Sequence, residues 1–193
     1  MFNIIKKEEK GFTLIELLVV IAIIAILSVV VVLTMNPAEM LRQSRDSSRV
    51  SDFSTLRTVI SLSLANGNYN LASSYSACYL STPLGTGTTA SRCGIFTSAG
   101  ITSNSSSSSA NYRKINATGW IPIDFTQVAG GTPFGSLPVD PTNNAGYYYA
   151  YAANAAGMYE FGAFLESKKY TSGSNSLVTT STAIYESGST LTL

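Results

Sequence analysis

The chain has 193 residues, enough for one modest domain and an appendage, and carries 12 basic against 11 acidic side chains for a formal net charge of +1. That balance excludes a nucleic-acid binder acting through bulk positive charge. Histidine is absent, which removes Ser–His and Cys–His catalysis and the commonest zinc ligand.

The chain opens on a short polar stretch, MFNIIKKEEKG, residues 1–11. Phe12 to Met35 follows as 24 residues dominated by Val, Ile and Leu, and after Glu16 no charge appears until Glu39. As a helix this run reaches about 36 Å, against a hydrocarbon core of about 30 Å. β-branched residues weaken helices in water, but in lipid the backbone has no partner except itself, so the helix wins. A secretory signal would place a small-residue cleavage site after the apolar run, and Ser28, Thr34 and Ala38 make a poor one. Lys6, Lys7 and Lys10 precede the run and Arg42, Arg45 and Arg49 follow it, so flanking positive charge sets no orientation. Glu16 is the anomaly. An ionisable group inside such a run marks function, or else it snorkels to the interface.

Lys10, Gly11, Phe12, Thr13, Leu14, Ile15 and Glu16, followed by an unbroken apolar helix, resemble the N-terminus of type IV pilins and type II secretion pseudopilins. The resemblance is close through the end of the apolar run. It implies that a prepilin peptidase cuts after Gly11, that Phe12 becomes the new, N-methylated terminus, and that Glu16 serves subunit assembly. A glycine at the cut suits the close approach of a protease, since it lacks Cβ. The cut creates a cationic amine on Phe12, at i relative to Glu16 at i+4 on one helix face. That amine can pair with its own Glu16 or with a neighbour's. The implied partners are copies of the chain in a helical filament, the prepilin peptidase and methyltransferase, an inner-membrane assembly platform with its ATPase, and the membrane. The implied location is the bacterial cytoplasmic membrane as a single-pass precursor with its head outside, then a pilus or pseudopilus on the cell surface or in the periplasm. The family commonly has a proline inside the apolar stretch, whereas here the first proline, Pro37, lies just past it.

Asn36, Pro37 and Glu39 read as the N-cap, first position and capping-box acid of a second helix, with a kink or break near residues 34–37. Over residues 38–65, Val50, Phe53, Leu56, Val59, Ile60 and Leu64 recur at helical spacing as a core stripe. Arg42, Arg45, Asp46, Arg49, Asp52 and Arg57 fall on the other, solvated faces. Asn66-Gly67 is the stop.

Beyond it, Cys78 and Cys93 are the only cysteines. They form one disulfide in an oxidising compartment, or stay as two buried thiols. A bridge closing a loop of about 15 residues gains about 3 kcal/mol in the chain-entropy model. GTGTTA at 85–90 matches a dinucleotide fingerprint but has no strand before it or helix after it, so nucleotide binding is set aside. SNSSSSSAN at 103–111 reads as a flexible exposed loop, and the N-x-S/T matches at Asn104 and Asn116 read as chance. GWIPIDF at 119–125 reads as a short strand or extended segment, with Trp120 anchoring the core. LPVDP at 137–141 is extended, because each proline biases its predecessor away from helix. This stretch also resembles the major pseudopilins. Asp140, Asn143 and Asn144 offer oxygens to calcium, but TSGSNS at 171–176 has no carboxylate, so that family's calcium site is not carried over. GYYYAYA at 146–152 and MYEFGAFLE at 158–166 read as two strands joined by ANAAG, and SLVTTSTAIYE at 176–186 as a third. The tyrosines of the first strand fill and edge the sheet rather than stack on DNA bases or glycans. Removing the leader leaves nine basic and nine acidic side chains, and no nucleic-acid partner is expected.

The expected organisation is a leader at 1–11, a transmembrane assembly helix at 12–35, an amphipathic stem helix at 36–66 and a β-rich head at 67–193. The expected fold is α+β, a long N-terminal helix packed on a small antiparallel sheet. The expected function is a structural filament subunit, neither enzyme nor cofactor- or metal-binding protein. The alternative is a monomeric, signal-anchored extracytoplasmic binding module.

Overall fold

The computed structural model describes residues 11–82, 93–94, 96, 101–172, 176–178, 183–191 and 193. The leader up to residue 10 and GTGTTA lie outside them, as do residues 173–175 of TSGSNS. The fold is α+β. Two compact units divide it, Met1–Met40 and Leu41–Leu193.

Helix α1 spans Leu14–Thr34 and α2 spans Pro37–Ala65. The break falls where proline demands it. The Asn36 side chain accepts from the Glu39 N–H at 3.2 Å, and Pro37 takes the first position, where a missing N–H costs nothing. The far end of α2 closes in a Schellman motif. The Asn68 N–H donates to the Ser63 carbonyl and the Gly67 N–H to the Leu64 carbonyl, at 3.1 and 2.9 Å. Gly67 sits at φ +83°, a conformation that a side chain disfavours.

The head is built on a five-stranded sheet of order β2-β1-β3-β4-β5. Its strands are β1 (Ala77–Leu80), β2 (Ser103–Ser106), β3 (Tyr149–Ala153), β4 (Tyr159–Phe164) and β5 (Ile184–Gly188). The β3–β4 hairpin turns at Asn154, whose side chain accepts from the Ala156 and Met158 N–H groups, with Gly157 at φ +79°. Period-2 alternation divides the sheet's faces. Tyr149, Tyr151, Tyr159 and Phe161 join the core that contains Phe53, Leu56, Val59 and Ile60 of α2. Phe53 lies at its centre, 4.9 Å from the Tyr149 ring, 5.3 Å from Phe161 and 5.7 Å from Tyr185. Tyr148, Ala150 and Ala152 join a second cluster on the opposite face, with the disulfide between Cys78 and Cys93.

Four expectations need correction. The serine run is not all loop. Residues 103–106 form an edge strand parallel to β1, Ala77 opposite Ser103 through Leu80 opposite Ser106, so the sheet is mixed rather than wholly antiparallel. Strand pairing uses backbone groups, and small polar side chains suit an edge. Of the two readings of GWIPIDF the strand fails: only an isolated bridge, Asn116 to Asp124, precedes a 3₁₀ turn at Phe125–Gln127. Pro122 has no N–H to give a ladder. The segment still fills the core through Trp120, Ile121, Ile123 and Phe125, and the Trp120 indole donates to the Pro138 carbonyl at 2.9 Å. The third strand starts later than expected, at Ile184.

The fourth correction concerns α2. Asp46 and Arg49 do not lie on a solvated face; both are fully buried. The Arg49 guanidinium donates to both Asp140 oxygens at 2.7 and 2.9 Å, to Asp46 at 2.6 Å and to Glu166 at 2.7 Å. Arg45 forks onto Glu166 as well. Asp46 also accepts the backbone N–H groups of Glu166 and Ser167, and the Tyr147 ring covers the Arg49 guanidinium at 5.3 Å. The cluster ties α2 to the loop before β3 and the segment after β4. Burial opposes the Arg49 charge, but the bonds to Asp140, Glu166 and Asp46 outweigh it and raise its pKa. The Arg45 hydrogen bond, with Arg49 adding to it against partial burial, pulls Glu166 down to about 2. Asp140 is thereby committed to Arg49 instead of offering its oxygens to calcium.

A second buried carboxylate behaves oppositely. Glu160 lies on β4 between Ala152 and Gly188, 1 % exposed, and accepts the Leu193 N–H at 2.9 Å. Burial raises its pKa to about 7, with Glu186 adding to the rise and the Leu193 N–H opposing it. A raised carboxyl contributes stability that is full below its ordinary 4.5 and is lost as pH climbs through about 7. Glu166 contributes in the other sense, fully above 4.5 and lost as pH falls through about 2. Thermal melts between about pH 5 and 8 should therefore show the head losing stability with rising pH. Glu160→Gln should flatten that slope, and an unchanged slope would assign it to another group.

Candidate functional site

The site is the N-terminal end of α1. Gly11 and Phe12 precede the helix in exposed, non-helical backbone, and nothing lies within 4 Å of where a Gly11 Cβ would stand. Phe12 itself is 87 % exposed.

Thr13 decides where the helix begins. Its backbone is extended, at φ −79° and ψ 152°, and its side-chain oxygen accepts from the Glu16 N–H at 3.3 Å. The Leu17 N–H returns to the Thr13 carbonyl at 3.2 Å. Thr13 is thus the N-cap, and Glu16 occupies the third helical position. The T-x-x-E spacing of a capping box, Thr13 to Glu16, is the local sequence signal for this start. Phe12 lies outside the helix, so the i, i+4 geometry assumed for Phe12 and Glu16 does not hold in the uncut chain. A threonine cap satisfies an otherwise orphan N–H, and that competes with carrying the helix one turn further back. An acidic side chain in a first helical turn also meets the positive end of the macrodipole, worth about 0.3–1 kcal/mol at exposed positions.

From Leu14 to Val32, 19 residues of mean hydropathy 3.2 form a helical span with no buried residue. At 1.5 Å per residue this covers about 28 Å, close to a bilayer's hydrocarbon thickness. The two hydroxyls near and beyond its end satisfy themselves. Ser28 donates to the Ile24 carbonyl at 2.7 Å and Thr34 to the Val31 carbonyl at 2.8 Å. Internal bonding of this kind is what lipid requires of polar groups. Glu16 is the one ionisable side chain in the span.

The cysteines expected to pair do so, with their Cα atoms 5.9 Å apart. They staple the head and have no part in α1. Among the described residues no group of three or more carboxylates or thiols is arranged to hold a metal.

Comparison with known proteins bears on this segment alone. A family model for the prokaryotic N-terminal methylation motif matches residues 6–32. No curated protein and no solved structure matches the chain. The matched residues take in the expected cut, Glu16 and the apolar helix, and so the chain carries the N-terminal methylation motif of type IV pilin-like prepilins.

Proposed function

We propose that the protein is a structural subunit of a type IV pilus-like or type II secretion pseudopilus filament. It is inserted in the cytoplasmic membrane as a precursor, cut by prepilin peptidase after Gly11, N-methylated on Phe12, and polymerised through its N-terminal helix by the assembly platform and ATPase. In this reading residues 1–11 are the leader, 12–35 the transmembrane and assembly helix, 36–66 the stem and 67–193 the head.

One observation carries the reading: an apolar helix of membrane-spanning length, none of its residues buried, under a methylation motif. Exposing a single Leu, Ile or Val to water costs about 1.5–3 kcal/mol. A helix built almost wholly of them needs lipid first and other such helices later. Lipid alone would also satisfy the monomeric anchored module. Glu16 separates the two readings, because a lone anchor gains nothing from a carboxylate in its span. Cutting after Gly11 frees an amine within reach of that carboxylate, on the same chain or a neighbour. Between chains, the pair sets an axial register.

Intact-mass or N-terminal sequencing of the membrane-extracted protein tests the proposal. The expected start is N-methylated Phe12, and Gly11→Trp should leave the full-length precursor in the membrane. A wild-type chain that retains Met1 would instead establish the anchored module.

A further inference from the structure

A groove of about 620 Å³ runs along α2 from Val50 to Leu64, faced by Tyr159, Tyr185 and Gly188. It lies wholly within the compact unit Leu41–Leu193 and is independent of the filament reading. We infer that it is a binding site for an acidic saccharide, a sugar ring bearing one carboxylate.

The chemistry of the lining selects that class. Among the described residues that line the groove, Arg57 is the only charged one. Its guanidinium makes one long contact, 3.4 Å to the Ser187 hydroxyl, and has no carboxylate partner among the described residues. Arg45 and Arg49, on the same helix, are spent on carboxylates, whereas the Arg57 fork is not. One planar fork matches one carboxylate. Polyphosphates and nucleic acids call for several cations, and a metal calls for the acids that this lining lacks.

The rest of the lining is amphiprotic. Thr58 and Ser61 donate to carbonyls of their own helix, at 3.0 and 2.9 Å, which leaves their oxygens as acceptors. The hydroxyls of Ser54, Tyr159 and Tyr185 have no partner among the described residues and can donate. Mixed donors and acceptors complement a polyol, whose hydroxyls are both. A fully ionised phosphate, which accepts only, would leave the acceptors unmatched. Rigidity favours affinity as well. The Tyr185 ring is stacked on Phe53, with planes 15° apart, and Phe53 is itself locked against Phe161 and Tyr149. A wall fixed before binding costs little ordering entropy. The volume falls within the range of small-molecule sites.

The test is calorimetric or NMR titration of the full chain in detergent micelles with sodium glucuronate, glucose, acetate and inorganic phosphate. The expected result is saturable glucuronate binding at least about tenfold tighter than each of the other three, since a charge-assisted fork and a hydroxyl array must act together. Arg57→Gln should reduce glucuronate to the level of glucose, and Ser54→Trp, which fills the groove from an exposed position, should abolish both. Each variant's melting temperature checks that the head is intact. Absence of saturable glucuronate binding, phosphate or acetate binding as tightly, or glucuronate binding unaltered by Arg57→Gln would each overturn the assignment.

Discussion

Glu16→Ala is expected to leave the subunit in the membrane, cut and folded, with sheared filaments reduced at least about tenfold. The estimate rests on the pair that the charge would form. Opposite charges 4 Å apart attract by about 4 kcal/mol at an effective dielectric of 20, against about 1 kcal/mol in water. Apolar helices packing in lipid gain little from hydrophobicity, so the loss of that pair is not made up by the remaining stem contacts. Insertion should be spared, because the change removes a charge from the bilayer. Processing should be spared, because the cut lies beyond Phe12. The Thr13 cap suggests a sharper version. Glutamine serves at the third position of a capping box as glutamate does. Glu16→Gln therefore keeps the local helix start and removes only the charge. Failure of both variants would place the effect on charge. Failure of alanine with normal assembly of glutamine would assign Glu16 to the helix start. Wild-type filament abundance from processed Glu16→Ala would show that the carboxylate merely snorkels.

Arg49→Leu is expected to destabilise the head by about 3–5 kcal/mol, the usual cost of removing one partner from a buried ion pair. The leucine would leave Asp46 and Asp140 buried opposite no guanidinium, while Glu166 kept only Arg45. For a domain of this size the melting temperature should fall by about 10 °C or more. High salt should not mimic the effect, because buried pairs are screened far less than exposed ones. Arg57→Gln, at an exposed position on the same helix, is the contrast and should melt within about 2 °C of wild type. Equal melting of Arg49→Leu and wild type would mean that the cluster contributes nothing net to the fold.

These two residues mark what could and could not be read in advance. The N-terminal segment was legible because its signals are local. A span of apolar side chains, a motif of fixed spacing and a proline after an asparagine each act within a few residues, where the helix and its solvent impose the same periodicity everywhere. The same locality exposed the β3–β4 hairpin and the glycine that ends α2. Arg49 was misread because its sequence spacing is that of an exposed helical charge. Besides Asp46, its acidic partners lie 91 and 117 residues away, and nothing near residue 49 announces them. Ser103–Ser106 was misread for a related reason: a strand at a sheet edge is held by backbone pairing, to which its side chains contribute no pattern. Trp120 was identified as a core residue within a segment that forms no strand, since burial follows from size and apolarity while strand formation also needs the N–H that Pro122 lacks. The sequence by itself therefore determined the apolar helix with its one charge, the methylation motif in front of it, and the turns. Only the tertiary structure decided which charges are buried, how the edge strand pairs and where the groove opens, because those depend on groups that meet through space after long stretches of intervening chain.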